Sequence, residues 1–135
     1  MNKETLKEKI RLELERGDES LKSAGLNLRE ALFDESVSSA YYAMFHSIKA
    51  VLLTIGQEPA THQGVVALFG LHFIKPGLIE KEYNALFIEA KDDREDSDYD
   101  VTRKFIKAEA EERLLAAQKL VSRIHKYLSE KDFIS

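Results

Sequence analysis

Apolar or small residues recur at Leu6, Ile10, Leu14, Gly17, Leu21, Ala24, Leu28 and Leu32, spacings of three and four that put them on one face of a helix. The pattern predicts a long first helix from Lys3 to about Leu32. Gly17 and Gly25 weaken it by up to about 1 kcal/mol each relative to alanine, so a bend or break near Gly25 is the alternative. Asp34 is positioned to cap the next helix, its side chain accepting from an unpaired first-turn amide. That helix runs to about Ile55.

The second helix is apolar on two sides. Val37, Ala40, Tyr41, Met44, Phe45, Ile48, Val51, Leu52 and Ile55 make a continuous stripe at the 3.6-residue period. Around the helix from them stand Ser39, Tyr42, Ala43, His46, Ala50 and Leu53, which are barely more polar. A helix apolar all round must be covered all round. Either this helix is central to the fold, or its second face meets another subunit and those six residues form a dimer interface. The small residues Ser38, Ser39, Ala40 and Ala43 let a second backbone come close in either arrangement.

Gly56-Gln57-Glu58-Pro59 ends the pattern, because proline disfavours a helical residue before it and glycine suits a helix C-terminus. Thr61 can cap a short third helix with Val65, Leu68, Phe69, His72 and Phe73 on one side, stopped at Lys75-Pro76-Gly77. A fourth helix turns Ile79, Tyr83, Leu86, Phe87 and Ala90 inward. The stretch from Lys91 to Asp100 has no buried stripe and reads as a helix end and a loop. A fifth helix starts near Val101, with Ile106, Ala110, Leu114, Ala117, Val121, Ile124 and Leu128 inward and Phe105 and Leu120 beside them, and ends at about Tyr127. No β-alternation or internal repeat interrupts this succession. The predicted fold is all-α, an up-and-down antiparallel bundle of four to five helices forming one domain over residues 1–135.

Composition narrows the function classes. With 44% hydrophobic and 33% charged residues the chain is too apolar for disorder and too charged for a membrane protein. No apolar run approaches the roughly 20 residues that span a bilayer. The opening Met1-Asn2-Lys3-Glu4-Thr5 passes straight into the charged amphipathic pattern, so a cytoplasmic location is expected. The absence of cysteine excludes disulfides, thiolate metal sites and a cysteine nucleophile. A net charge of −4 does not draw nucleic acid by itself, so any such partner requires a local site.

The acidic run from Asp92 to Asp100 lacks the glycine and closing glutamate of a calcium loop and places Arg94 at a ligand position, so a solvated or ion-paired acidic segment is expected. Histidines 46, 62, 72 and 125 hold no i, i+4 pair for zinc. Neither a metal nor a cofactor is expected. GxSxG, Walker and GxGxxG patterns are absent. His46 shares the second face of helix two with Tyr42, where it serves as a packed interface group or as an acid or base. His62 follows the capping Thr61, either as part of a local cap or as a donor to a carbonyl or a neighbouring carboxylate. Arg94 is either an ion-pair hub fixing helix four against helix five or, with Tyr99, a contact for a phosphate or RNA backbone, to which its planar fork is suited.

Three segments, Ser38-Ser39-Ala40-Tyr41-Tyr42-Ala43-Met44-Phe45-His46, then Thr61-His62-Gln63-Gly64-Val65, then Arg94 with Ser97-Asp98-Tyr99, occur in an order that resembles the HEPN superfamily (higher eukaryotes and prokaryotes nucleotide-binding), in particular its small stand-alone prokaryotic branch. The resemblance implies a homodimeric helical bundle working with a minimal nucleotidyltransferase, often as a toxin–antitoxin pair. It also implies a metal-independent ribonuclease site in active members, built from an arginine and a histidine four to six residues later. Arg94 fills the arginine position, but Glu95 to Asp100 contains no histidine and Tyr99 stands where one is expected. A phenol, protonated at neutral pH, is a poor general base.

The leading expectation is therefore a dimeric module, weakly or not catalytic, with Arg94, Tyr42 and His62 toward nucleotide or RNA and Tyr99 as the tyrosine the partner enzyme modifies. The alternative is a ribonuclease toxin using Arg94 with a displaced acid or base, for which Tyr99 and His46 are the candidates and His62 a further substitute. A structural helical adaptor is the third.

Overall fold

The computed structural model describes residues 2–135. Its helices are α1 (Lys3–Arg29), α2 (Phe33–Leu53), α3 (His62–Phe69), α4 (Lys81–Tyr99) and α5 (Lys107–Glu130), and α3 continues into a π-helical turn over Gly70–Ile74. The chain is an all-helical bundle, as its periodicity predicts.

Helix α1 is capped by Asn2, whose side-chain oxygen accepts from the Thr5 amide at 2.8 Å, and passes Gly17 and Gly25 without a break. It ends three residues before the predicted Leu32. Ala31 takes a φ of 59°, and the Leu32 amide folds back onto the Asn27 carbonyl at 2.8 Å, which turns the chain into α2.

Helix α2 is the central element. Of its first stripe, Ala40, Tyr41, Met44, Phe45, Ile48, Val51 and Leu52 lie in one apolar cluster with Leu120, Ile124 and Leu128 of α5, Phe87 of α4, and Phe69 and Phe73 from α3 and its π turn, whereas Val37 packs in a second cluster and Ile55, past the end of the helix, is exposed rather than inward. Its second stripe lies under α1, the most extensive helix pairing in the molecule. Ala43 and Ala50 are 0% exposed and Leu53 4%, so these three are sealed within the chain and are not open to a second subunit. Ser39 bonds Ser23 of α1 (Oγ to Oγ, 3.1 Å), while Tyr42 and His46 stay half-buried at the edge. Of the two arrangements the doubly apolar helix allowed, the structure adopts the central one. Close approach is possible because Gly17 faces α2, where a Cβ would come within 3.2 Å of the Ala43 carbonyl oxygen. Ser36 strengthens the contact by donating to the Ala24 carbonyl at 2.8 Å.

Three sequence expectations need correction. Asp34 does not cap α2. It sits in the first turn, and its carboxylate accepts from the Phe105 amide at 2.9 Å, fastening the α4–α5 connection to α2. The acidic run is not a loop, since α4 continues through it to Tyr99. Arg113 of α5 reaches across to Asp93 and, at 2.9 Å, to Glu89, so two acids on that face of α4 are paired and the helix is held against α5. Helix α5 consequently starts at Lys107, where Glu109 accepts from the Ile106 amide at 3.0 Å. Ile106 is exposed rather than inward, while Phe105 is buried beside Val37 and Ala110. No helix of the described residues is long and apolar enough to cross a membrane.

Candidate functional site

The site forms where α2, the start of α3 and the second half of α4 meet. Phe87, Lys91 and Arg94 lie along one face of α4 at spacings of four and three, and the ends of that row meet the tyrosines of α2. Phe87 lies parallel to the buried Tyr41 ring, centroids 5.7 Å apart and planes within 3°. Two turns on, the Arg94 guanidinium carbon stands 5.3 Å from the centroid of Tyr41 and 5.7 Å from that of Tyr42. Contacts of this kind hold a desolvated cation through the negative faces of the rings, worth about 0.5–2 kcal/mol each. Arg94 Nη1 donates to Asp98 at 2.6 Å. Its Nε is buried without a partner.

His62 reaches this group through the cap of α3. Thr61 Oγ1 accepts from the Gly64 amide at 2.9 Å. A Cβ at Gly64 would lie 3.0 Å from Pro59 Cβ and 3.1 Å from Thr61 Oγ1, so glycine there keeps the turn compact. The His62 ring stacks on Phe45 with centroids 4.4 Å apart, and its Nδ1 lies 2.6 Å from the Tyr41 hydroxyl. Burial lowers the His62 pKa, and the positive charges of Arg94, Lys91 and Lys49 lower it further, with Glu95 opposing. The imidazole is therefore neutral at pH 7. Burial raises the Tyr41 pKa, reinforced by Tyr42 and Glu95 and opposed by Arg94, so the phenol keeps its proton.

Acids beside Arg94 repel an anion at close range, and three of them are engaged in ion pairs. Asp93 is paired with Arg113, Glu95 with Lys91 and Asp98 with Arg94. Arg94 is not the hub that joins α4 to α5, a part that falls to Arg113. A guanidinium set over two phenol rings, beside a neutral imidazole, can present N–H groups to a phosphodiester. A shallow groove lined by Asp34, Glu35, Val37, Ser38, Ser97, Asp98 and Phe105 opens beside it, and its three carboxylates make it no seat for an anion.

Of the residues singled out by sequence, Arg94, Tyr42 and His62 come together. His46 packs at the edge of this group, its ring centroid 5.4 Å from that of Phe45 and 6.4 Å from that of Tyr42, but its Nδ1 turns away to Glu13 of α1 at 2.8 Å. Lys49 joins the same carboxylate at 3.4 Å. Burial works to raise the Glu13 pKa, but these two partners outweigh it and hold Glu13 below its ordinary value. Tyr99 is apart from Arg94 as well. It ends α4, is 91% exposed, and at about 100° per residue stands roughly 140° around the helix. Tyr41 and Phe45, read as core from their stripe, are the residues the sequence concealed. The signal for Tyr41 was a phenol on an apolar stripe, since a buried hydroxyl needs a partner. Among the described residues no group of three or more His, Asp or Glu side chains is placed to hold a metal ion.

The HEPN domain family profile matches residues 10–127. A Methanocaldococcus jannaschii protein named "putative toxin" is 38% identical over 96% of this chain and 96% of its own. A second protein of that organism, named in the same way, is 33% identical over 90% of this chain and 82% of its own. A Thermotoga maritima protein named UPF0332 protein is 29% identical over 85% of this chain and 87% of its own.

Proposed function

The chain belongs to the HEPN domain family, and on that premise we propose that it is the toxin-type module of a two-protein system, binding RNA or nucleotide phosphate at Arg94 while being weakly or not catalytic. The observation that carries this reading is the convergence of Arg94, Tyr41, Tyr42 and His62 from three helices. Relatives named as toxins support the toxin assignment. The partner is a minimal nucleotidyltransferase, and its target on this chain is Tyr99, whose phenol is exposed and free of hydrogen bonds among the described residues. The module works in the cytoplasm as a homodimer, through a surface other than the Ala43, Ala50 and Leu53 strip.

Co-expression with a nucleotidyltransferase encoded beside this gene, followed by intact-mass measurement, tests the partnership. Addition of nucleotide monophosphate mass that disappears in Tyr99→Phe is expected. Unmodified protein that does not co-purify with the enzyme would remove the partnership.

A second reading, metal-independent cleavage of RNA, is favoured by one observation, the neutral His62 beside Arg94. It requires cleavage of single-stranded RNA that persists in chelator and is lost in both Arg94→Ala and His62→Gln. Intact RNA at high protein concentration would eliminate it.

A further inference from the structure

Tyr41 contributes its ring to the Arg94 contact, but the consequence of its hydroxyl is separate. The side chain is 0% exposed, and the only group within hydrogen-bonding distance of its oxygen among the described residues is His62 Nδ1, at 2.6 Å. A phenol and an imidazole nitrogen can share one proton between them in only one direction at a time. If Nδ1 carried the proton and donated to Tyr41, the hydroxyl proton would be left buried without an acceptor, a loss of about 1–3 kcal/mol. If Tyr41 donates, Nδ1 accepts and both groups are satisfied. The neutral ring then has its own proton on Nε2, the nitrogen that bonds no protein group among the described residues. Phe45, stacked at 4.4 Å, covers the face of the ring and bonds neither nitrogen.

We infer that Tyr41 is a positioning residue which, by donating to Nδ1, fixes His62 as the Nε2–H tautomer, so that His62 meets a phosphate held at Arg94 as a hydrogen-bond donor and not as a base. The inference rests on the phosphate-binding reading for its use and gives that reading a cause. A ring with Nε2 already protonated has no lone pair there with which to take a proton from a ribose 2′-hydroxyl. The site therefore grips a phosphodiester without activating the nucleophile, even though a histidine stands beside the arginine.

The test is the imidazole nitrogen spectrum of the full-length, uniformly 15N-labelled protein at neutral pH without nucleic acid, with the His62 signals identified by their loss in His62→Gln. The wild type is expected to show an unprotonated Nδ1 and a protonated Nε2, with the Tyr41 hydroxyl proton correlated to Nδ1. Tyr41→Phe, which keeps the ring and removes the donor, is expected to move the Nδ1 and Nε2 signals toward a tautomer mixture and to raise the His62 pKa. Phe45→Leu, which removes the stacking ring and leaves the donor, is expected to retain the Nε2–H form. A wild-type ring protonated on Nδ1, or Nε2–H signals unchanged in Tyr41→Phe, would overturn the inference. Because the wild-type spectrum decides the tautomer alone, the test survives a poorly folding variant. Because no RNA is present, its failure is distinct from failure of the binding reading.

Discussion

Gly17 and Gly25 look alike in the sequence, both being helix-weakening glycines of the same first helix, yet the packing of α1 on α2 assigns them opposite responses to substitution. A side chain at Gly17 would put its Cβ 3.2 Å from the Ala43 carbonyl oxygen and 3.6 Å from the Ser47 amide. Both are backbone atoms of a central helix that cannot swing aside. Gly17→Val adds two further methyl groups at that point, an overpacking that costs about 1–3 kcal/mol. The helix-propensity gain of replacing glycine by valine returns only about a few tenths of a kcal/mol. At Gly25 a Cβ meets nothing within 4 Å, so Gly25→Ala gains up to about 1 kcal/mol from propensity alone. For a domain of this size each kcal/mol moves Tm by roughly 3–5 °C. Thermal and urea unfolding followed by circular dichroism should show Gly17→Val losing roughly 3–10 °C and Gly25→Ala gaining a few degrees. If Gly17→Val melts at or above the wild-type temperature, α1 does not lie on α2 at this distance, and the in-chain burial of Ala43 and Ala50 loses its explanation.

Thr61→Ala should cost about 1 kcal/mol by removing the α3 cap and should broaden the His62 resonances, both readable in one sample by unfolding and NMR. Arg113→Met, which keeps the packing of the stem and leaves Asp93 and Glu89 unpaired, should lower stability by about 1–3 kcal/mol in urea unfolding and increase amide exchange over residues 89–99. His62 has a folded-state pKa below that of the unfolded chain because burial and the charges of Arg94, Lys91 and Lys49 outweigh Glu95. As pH falls, the unfolded chain therefore takes up the proton first. The stability contributed by the neutral ring is complete above about pH 6.5 and is lost as pH drops from there to the folded-state value. Urea unfolding across that window should show a decline that His62→Gln flattens, and an equal decline in the variant would contradict it.

How much of this was legible in the sequence depended on whether periodicity or long-range pairing decided each element. The stripes of α1, α2 and α5 rest on spacing alone, so their helices and the inward faces of their middle turns follow from it, while Leu32, Ile55 and Ile106 at the predicted ends are exposed, and Thr61 announces α3 by its own chemistry. The far half of α4 was hidden because nothing between Lys91 and Asp100 makes an apolar stripe. It stays helical through Arg113, 20 residues past Asp93 in the chain, and through pairs along its own surface. Asp34 misled for the same reason, since its partner is the amide of Phe105, 71 positions away. At the site, Arg94, Tyr42 and His62 were visible as chemistry without being visible as neighbours. Tyr41 was hidden by its own stripe, which made a proton donor look like core. His46 and Tyr99 drew attention by residue type, and only the fold reveals that one faces Glu13 of α1 and the other faces solvent.

The central claim is that Arg94, mounted on Tyr41 and Tyr42, anchors a phosphate. Fluorescence anisotropy of an end-labelled single-stranded oligoribonucleotide tests it most directly, comparing the wild type with Arg94→Met, which keeps the apolar packing on the two rings and removes the guanidinium. Loss of charge-assisted hydrogen bonds worth about 1.5–3 kcal/mol should weaken binding by roughly tenfold to a hundredfold, with unfolding midpoints confirming that the bundle is intact. Equal affinity for the two proteins, or no binding by the wild type at low salt, would contradict it.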